Sequence, residues 1–366
     1  MCLRPKPDAG PGQGGSREGR IHASFAPEHR ARLALAAERS PSIPLRLLTS
    51  LASILIGLSA LSANSADAQD SPEPLAASYE IVTLGPALIE GVVIQQAEID
   101  PDDNRIPPLV VLLGGSNGGL WFDGFLRDLT ARRISTLSLS YFGHEGQPDQ
   151  LIERPLEPIA AVIELARETR GAQQRCLAVV GVSKGGELAL LLAAHEQDFA
   201  GPGHRLIDAT IAASPSNVVW QAPHIRLEAR SSWSIAGRAL DFVPYPWLST
   251  HLPDVVFNRY EVGEYHVDAL QNERAVEAAE IPVERIAHPA LLLAGQNDVM
   301  WPAARMSQAA LERARRLNPD TPVRLEIREL DHFVMSDADT RRLAIDFLLE
   351  ALRNAEAAGD CQADFD

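Results

Sequence analysis

The sequence predicts an α/β fold built on a doubly wound, mainly parallel sheet. Short continuous apolar runs, of the kind that form strands buried on both faces, alternate with amphipathic segments of helical period over most of the chain. A glycine-containing turn joins one of these runs to the next helix, which indicates a sharp strand-to-helix connection. Strands that alternate with helices in this way favour a parallel sheet covered on both faces.

The elements follow one another in regular order. A short β-hairpin is predicted at about 78–97. The later strands are apolar runs such as 289–295 or alternating segments such as 323–330, and the helices repeat apolar residues every three or four positions. The predicted strands lie near 108–113, 134–141, 176–182, 206–213, 289–295 and 323–330. The predicted helices lie near 119–132, 157–170, 185–195, 303–317 and 337–357.

Residues 215–285 interrupt the alternation between two predicted core strands, which indicates a cap insertion. This segment holds eight of the twenty aromatic residues of the chain: Trp220, Trp233, Phe242, Tyr245, Trp247, Phe257, Tyr260 and Tyr265. The aromatic side chains would either build an apolar substrate pocket or form a small core of the insertion itself. The sequence leaves both alternatives open.

The N-terminal 68 residues differ in composition from the rest of the chain. Residues 1–46 are basic and rich in small residues, and the apolar run 47–63 is followed by a small-residue stretch typical of signal peptidase sites. We therefore expect a disordered leader plus a signal peptide at about 45–68, a periplasmic or secreted protein, and one domain over 69–366. A membrane anchor through 47–63 is the alternative.

The net negative charge of the chain disfavours negatively charged partners. The chain of 366 residues has a formal net charge of −16, which becomes −19 once residues 1–68, with eight basic and five acidic residues, are removed. A protein so acidic should avoid nucleic acid and anionic membrane surfaces. We expect no stable membrane insertion after signal cleavage, and the sequence does not indicate an oligomeric state.

Ser183 lies in the motif Gly-Val-Ser-Lys-Gly at 181–185, between a predicted strand and a predicted helix. A G-x-S-x-G turn needs its glycines because backbone meets backbone at the reversal, and the turn lifts the serine oxygen clear of the sheet. This context predicts a nucleophile. The structural alternative is an ordinary helix N-cap.

An acid and a histidine follow in the order that such a nucleophile requires. Asp298 comes after the predicted strand 289–295, and His332 comes after the predicted strand 323–330. All three residues lie at the carboxyl ends of predicted strands, where α/β sheets carry their sites. The structural alternatives are a helix cap for Asp298 and a surface position for His332.

The chemistry assigns each residue a role. Ser183 would attack, His332 would move the proton, and Asp298 would orient the imidazole. Developing oxyanion charge needs preorganised donors, for which we predict the backbone N–H groups of Lys184 and of Ser116 and Asn117 in the glycine-rich loop 114–119. The Lys184 side chain would either stabilise charge or be solvated.

The chain resembles the acyl-CoA thioester hydrolases and bile acid-CoA:amino acid N-acyltransferases, through their C-terminal, dienelactone-hydrolase-like α/β-hydrolase domain. The resemblance is carried by Gly-Ser-Asn-Gly-Gly-Leu at 115–120, the Ser-Lys-Gly-Gly-Glu core of 183–187, Ile-Pro-Val-Glu-Arg at 281–285, and the segments around Asp298 and His332. It implies the α/β-hydrolase fold and the triad Ser183, Asp298 and His332. It also implies a thioester or carboxylic ester as small-molecule substrate.

Two departures from the family limit what the resemblance implies about the substrate. Only about forty residues separate the predicted signal from the first sheet loop, so we expect the N-terminal β-sandwich of acyl-CoA-acting members to be missing. Predicted export conflicts with CoA thioesters, which are cytosolic. The alternatives to a thioesterase are an exported carboxylesterase, an acyltransferase or peptidase on the same triad, and a non-catalytic binding protein. Family acyltransferases use cysteine, so Ser183 favours transfer to water.

Two further expectations concern cysteines and cofactors. Cys176 begins the nucleophile strand, and Cys361 follows a helix predicted to end at the same edge of the sheet, so the two could form a disulfide in an oxidising compartment. Metal-binding and nucleotide-binding motifs are absent from the sequence, so we predict no cofactor and no metal. His144 is interpreted as a loop histidine.

Overall fold

The computed structural model describes residues 79–84, 92–99, 105–121, 124–168, 174–201, 203–223, 228–246 and 262–365. The predicted leader and signal peptide lie outside the described residues. So do Trp247, Phe257 and Tyr260 of the predicted cap. The structural description below concerns the unit formed by residues 73–366.

The centre of the fold is an eight-stranded sheet in which six neighbouring strands are parallel. Its strand order is β1-β2-β4-β3-β6-β7-β10-β11, and the first two strands pair antiparallel at one edge. The strands are β1 (Tyr79–Leu84), β2 (Val93–Ile99), β3 (Leu109–Leu113), β4 (Ser135–Ser140), β6 (Leu177–Val182), β7 (Ala209–Ala213), β10 (Ala290–Gly295) and β11 (Val323–Arg328). The predicted doubly wound sheet is confirmed.

Helices connect the parallel strands. They are α1 (Gly124–Thr130), α2 (Glu157–Arg167), α3 (Lys184–Ala194), α4 (Glu196–Ala200), α5 (Val262–Ala269), α6 (Glu273–Ala279), α7 (Ala303–Leu317) and α8 (Ala338–Ala358), with 3₁₀ turns at Val283–Arg285 and Val334–Ser336. Within the described ranges, every helix is too short or too polar to cross a bilayer.

The helix predicted near 119–132 begins later, at Gly124. The preceding residues are held instead on the ends of neighbouring strands. The Gly119 N–H donates to the Phe142 carbonyl at 2.8 Å, and the Trp121 N–H donates to the Ser138 hydroxyl at 2.9 Å. The chain here also has φ of 68° at Gly118 and 74° at Gly119, outside the helical region, so the helix cannot include these residues.

Apolar residues cover both faces of the sheet. All five residues of β3 are buried, and so is every residue of β10, which is why these strands are continuous apolar runs. One face packs against α3 and the other against α8. The central strands are thereby shielded from water on both faces, whereas most of the edge strand β11 is half-buried.

Two strands of the insertion, β8 (Trp233–Ile235) and β9 (Arg238–Ala239), form a three-stranded sheet with β5 (Arg154–Pro155), which precedes α2. Trp220 is fully buried and stacks on Tyr245 with 5.7 Å between ring centroids, and Tyr245 also contacts Tyr265. Trp233 is fully buried as well, but it packs on Tyr141 in the main core. For Trp220, Tyr245 and Tyr265 the structure therefore favours a core of the insertion.

The C-terminal tail returns to the start of the nucleophile strand. Cys176 and Cys361 form a disulfide across 185 positions of the chain. The Cys176 N–H donates to the Gln362 carbonyl, and the Gln362 N–H donates to the Gln174 carbonyl. The pairing considered from the sequence is present.

Candidate active site

Ser183 lies on a sharp turn between β6 and α3. Its backbone has φ 55° and ψ −120°, a conformation that residues other than glycine rarely adopt. A Cβ added to Gly181 would stand 1.9 Å from the Gly185 carbonyl oxygen, and one added to Gly185 would stand 2.3 Å from the Leu113 oxygen. Both glycines are therefore required by close backbone contact.

The Ser183 side chain does not cap the helix that follows it. Serine at an N-cap normally accepts a hydrogen bond from a backbone N–H two or three residues on, and α3 has no such side-chain bond. Its backbone N–H is held by the Ala213 carbonyl at 2.9 Å. The strained turn is thus supported from β7, and the hydroxyl is not used for helix capping.

Asp298 and His332 are brought together, as the sequence predicts. Asp298 follows β10, His332 follows β11, and His332 Nδ1 lies 2.7 Å from Asp298 Oδ2. The side chain of His332 is 6% exposed and that of Asp298 is 1% exposed, so the contact is shielded from water. The other Asp298 oxygen accepts from the N–H groups of Met300 and Trp301 at 2.9 and 3.1 Å, which fixes the carboxylate.

A residue that sequence reasoning missed joins the three loops. Ser214, directly after β7, donates its hydroxyl to the His332 carbonyl at 2.7 Å, and its own carbonyl accepts from Trp301 Nε1 at 3.1 Å. Because the preceding residue, Ala213, holds the Ser183 N–H, the end of β7 contacts the nucleophile, base and acid loops alike. The one sequence feature that could have identified Ser214 is its position at the carboxyl end of a predicted strand.

The glycine-rich loop lies against Ser183. A Cβ added to Gly115 would stand 3.4 Å from Ser183 Cβ and 3.8 Å from its Oγ. Ser116 and Asn117, the predicted oxyanion residues, follow on the exposed side of the loop. The loop is held by a bond from the Tyr141 hydroxyl to the Gly114 carbonyl at 2.5 Å.

The Lys184 side chain is buried, so the solvated alternative is wrong. Its Nζ donates to both carboxylate oxygens of Glu187 at 2.7 Å, and Lys184 is only 2% exposed. Burial lowers the pKa of Lys184 and raises the pKa of Glu187, while the contact between them opposes both shifts. The ammonium is committed to Glu187 and is not a free charge for substrate.

The acid loop borders a cavity of about 540 Å³. It is lined by Asp298, Val299 and Pro302 from the loop after β10 and by Gly263, Glu264, Val267 and Asp268 from α5. The apolar side chains of Val299, Met300 and Phe333, next to the acid and the base, are 61%, 40% and 62% exposed. Exposed apolar groups beside a site are suited to contact an apolar part of a substrate.

The atoms that could hold a metal ion are engaged in other bonds. Among the described residues, Cys176, Asp208 and Cys361 have metal-ligating atoms within 4.8 Å of one another. Both sulfurs form the disulfide, and Asp208 accepts from Arg167 and from the Leu177 N–H at 2.9 Å. This group therefore does not fit a metal ion. His144 is exposed, with Nδ1 3.4 Å from the Glu145 carbonyl oxygen, as in a loop histidine.

Comparisons with known proteins agree with the resemblance seen in the sequence. Residues 160–334 match the family model described as "BAAT / Acyl-CoA thioester hydrolase C terminal". Acyl-coenzyme A thioesterase 1 of Rattus norvegicus is 21% identical over 251 residues, covering 67% of this chain and 52% of the relative. The mitochondrial acyl-coenzyme A thioesterase 2 of the same organism is 21% identical over 236 residues, covering 64% and 47%.

The chain spans about half the length of these curated relatives. Among solved structures, an esterase of Pyrococcus furiosus is similar with a TM-score of 0.47 and 16% identity, over 78% of this chain and 96% of that chain. Est1E of Butyrivibrio proteoclasticus is similar with a TM-score of 0.44 and 16% identity, over 75% and 99%. The match at 160–334 includes Ser183, Asp298 and His332, and over these residues the chain is similar to the C-terminal domain of the BAAT and acyl-CoA thioester hydrolase family.

Proposed function

We propose that this protein is a serine hydrolase that cleaves a thioester or carboxylic ester through Ser183, His332 and Asp298. The observation that carries the proposal is the buried contact of 2.7 Å between His332 Nδ1 and Asp298 Oδ2, in a chain whose Ser183 lies on a strained turn that is held by the same end of β7 as the loop of His332. An aspartate that holds Nδ1 leaves Nε2 of the imidazole as the group that can take a hydroxyl proton. Nucleophilic attack by serine requires such a base.

The reaction would run in two steps. Ser183 Oγ attacks the ester carbonyl while His332 takes its proton, and the leaving alcohol or thiol departs with that proton, which leaves an acyl-enzyme. Water then attacks the acyl group, with His332 again as base, and the acid is released. The backbone N–H groups of Lys184, Ser116 and Asn117 would stabilise the oxyanion in both steps.

Labelling by a fluorophosphonate probe tests the nucleophile directly. We expect the wild-type protein to be labelled and Ser183→Ala to be unlabelled, with turnover of a short p-nitrophenyl ester reduced by about 10⁴-fold or more. Ser336→Ala, at an exposed serine, is the matched control and should match the wild type in both assays. Full labelling of Ser183→Ala would rule out this serine.

The leaving group is best tested with matched substrates. A panel of oxyesters, pantetheine thioesters and CoA thioesters with the same acyl group separates thioesterase from carboxylesterase activity. The family match favours thioesters, whereas predicted export favours substrates other than CoA thioesters. Addition of an amine acceptor, with product analysis, separates hydrolysis from acyl transfer; hydrolysis is the expected outcome because the nucleophile is serine.

We further propose that the protein is exported. The disulfide between Cys176 and Cys361 supports this location, since such bonds persist in oxidising compartments. Expression of the full chain, followed by mass spectrometry of the mature N-terminus, is the test. A new N-terminus near residue 69 is expected, and full-length protein in the cytoplasmic fraction would contradict export.

A further inference from the structure

Glu187 has no exposed surface and lies directly behind the nucleophile turn. Its Oε1 accepts a hydrogen bond from the indole N–H of Trp233 at 2.7 Å and from the backbone N–H of Trp220 at 3.2 Å. Lys184, in the same helical turn, donates to both oxygens of the carboxylate. Since both tryptophans belong to the insertion, Glu187 joins the first turn of α3 to that insertion.

Tyr141 connects the same cluster to the glycine-rich loop. Its hydroxyl donates to the Gly114 carbonyl at 2.5 Å, and its ring lies 5.4 Å from the Trp233 ring. A fixed Gly114 carbonyl also fixes the peptide plane shared with Gly115, because the peptide unit is planar. Gly115 is the loop residue that lies against Ser183.

We propose that Tyr141, Glu187 and Trp233 are positioning residues that hold the two predicted halves of the oxyanion hole at their working separation. One half is the Lys184 N–H at the start of α3, and the other is the loop that begins at Gly114. The three side chains, here called the elbow cluster, act through these backbone groups. The inference rests on the proposed function, because it assigns a role within that reaction.

The physical argument is preorganisation. Oxyanion-hole donors stabilise charge only where they already point at the developing oxygen, and loss of one donor lowers turnover by roughly 10²–10³-fold. A shift of a fraction of an ångström in the distance between the two groups of donors lowers turnover less than the loss of a donor does. It affects the same chemical step. Loss of a positioning bond should therefore lower kcat and leave KM nearly unchanged.

Two substitutions that keep an aromatic ring test the elbow cluster in the full chain. Tyr141→Phe removes the hydroxyl that holds Gly114, and Trp233→Phe removes the N–H that holds Glu187, while an aromatic ring remains in both. We expect kcat for the ester substrate and the fluorophosphonate labelling rate to fall in parallel by roughly 10-fold, with KM within about twofold of the wild type. Tyr265→Phe, which removes a hydroxyl bonded to the Pro246 carbonyl, is the control and should leave kcat unchanged.

A second pair of variants distinguishes positioning from simple stabilisation. Lys184→Met with Glu187→Gln removes the buried ion pair but keeps an amide oxygen that accepts from Trp233. Lys184→Met with Glu187→Leu removes that acceptor as well, and apolar replacement of a buried ion pair is commonly tolerated by the fold. We expect about 10-fold higher kcat in the glutamine variant than in the leucine variant.

The outcomes are separable from those of the proposed function. Equal kcat and labelling rates in wild type, Tyr141→Phe and Trp233→Phe, with Ser183→Ala inactive, would overturn the positioning role and leave the hydrolase intact. Equal kcat in the two double variants would overturn it as well. Full activity in Ser183→Ala would overturn the hydrolase proposal and the positioning role together.

Discussion

At the scale of residues, the buried polar groups around the nucleophile turn have specific partners. Tyr141 is only 2% exposed, and its hydroxyl donates to a backbone carbonyl. Burial, and secondarily the nearby Glu187 carboxylate, raise the pKa of Tyr141 far above its ordinary value. The hydroxyl therefore stays protonated, and stays a donor, throughout the pH range in which a hydrolase would work.

The Tyr141 shift predicts alkaline sensitivity. A pKa that is higher in the folded than in the unfolded state leaves stability unchanged below the unfolded value of about 10 and lowers it as pH rises towards the folded pKa. Above pH 10, each such tyrosine should cost about 1.4 kcal/mol of unfolding free energy per pH unit. Urea unfolding of wild type and Tyr141→Phe from pH 9 to 11.5 should therefore give a shallower decline for the variant, and parallel curves would contradict the assignment.

At the scale of elements, the helix that follows His332 begins at a side-chain cap. Asp337 precedes α8, and its carboxylate accepts from the Thr340 N–H at 2.7 Å and the Thr340 hydroxyl at 2.8 Å. These hydrogen bonds, above all that from the Thr340 side chain, hold the pKa of Asp337 below its ordinary value. Because α8 starts six residues after His332, the cap also fixes where the loop that carries His332 ends.

Removal of the cap should destabilise the protein measurably. Asp337→Ala is expected to lower the free energy of unfolding at pH 7 by about 1 kcal/mol, whereas Asp337→Asn keeps an acceptor and should lose less. A depressed pKa contributes stability above the unfolded value and loses it as pH falls, so the difference between wild type and Asp337→Ala should shrink below about pH 4. A difference that stays constant down to pH 2.5 would contradict this account.

At the scale of the whole molecule, the disulfide closes the fold between distant parts of the chain. It ties the tail after α8 to the residue before β6, the strand that carries Ser183, across 185 positions. Cross-linking positions so far apart restricts the unfolded chain, so it should favour the folded state even though neither sulfur is near the proposed triad.

Loss of this bond should lower stability with little effect on chemistry. Replacing both Cys176 and Cys361 by alanine is expected to reduce the free energy of unfolding by about 2–5 kcal/mol while kcat of the folded enzyme stays near the wild-type value. Thermal unfolding with and without reductant supplies the control, since reductant should shift the wild type and leave the double variant unchanged. An equal midpoint for both proteins under oxidising conditions would show that the bond contributes no stability.

Sequence periodicity alone was sufficient to predict the parallel strands and their order along the chain. Strands such as β10 are apolar at every position because both faces are buried. This pattern is visible in the strand's own sequence, whichever elements pack against it. The late start of α1 was not predictable, because it results from hydrogen bonds to Phe142 and Ser138 on other elements. The position of α5 along the cavity beside Asp298 likewise depends on contacts between residues that are distant in sequence.

What the sequence by itself determined is the nucleophile turn, its glycines and the chain order of Ser183, Asp298 and His332, because each depends on a local strand-to-loop signal. Only the tertiary structure decided that Lys184 is buried against Glu187, that Ser214 joins the three loops, and that Trp220 stacks on Tyr245 whereas Trp233 packs on Tyr141. These features arise where side chains from different elements exchange hydrogen bonds in a space closed to water. Burial and partner identity belong to the assembled fold, and no segment carries them alone.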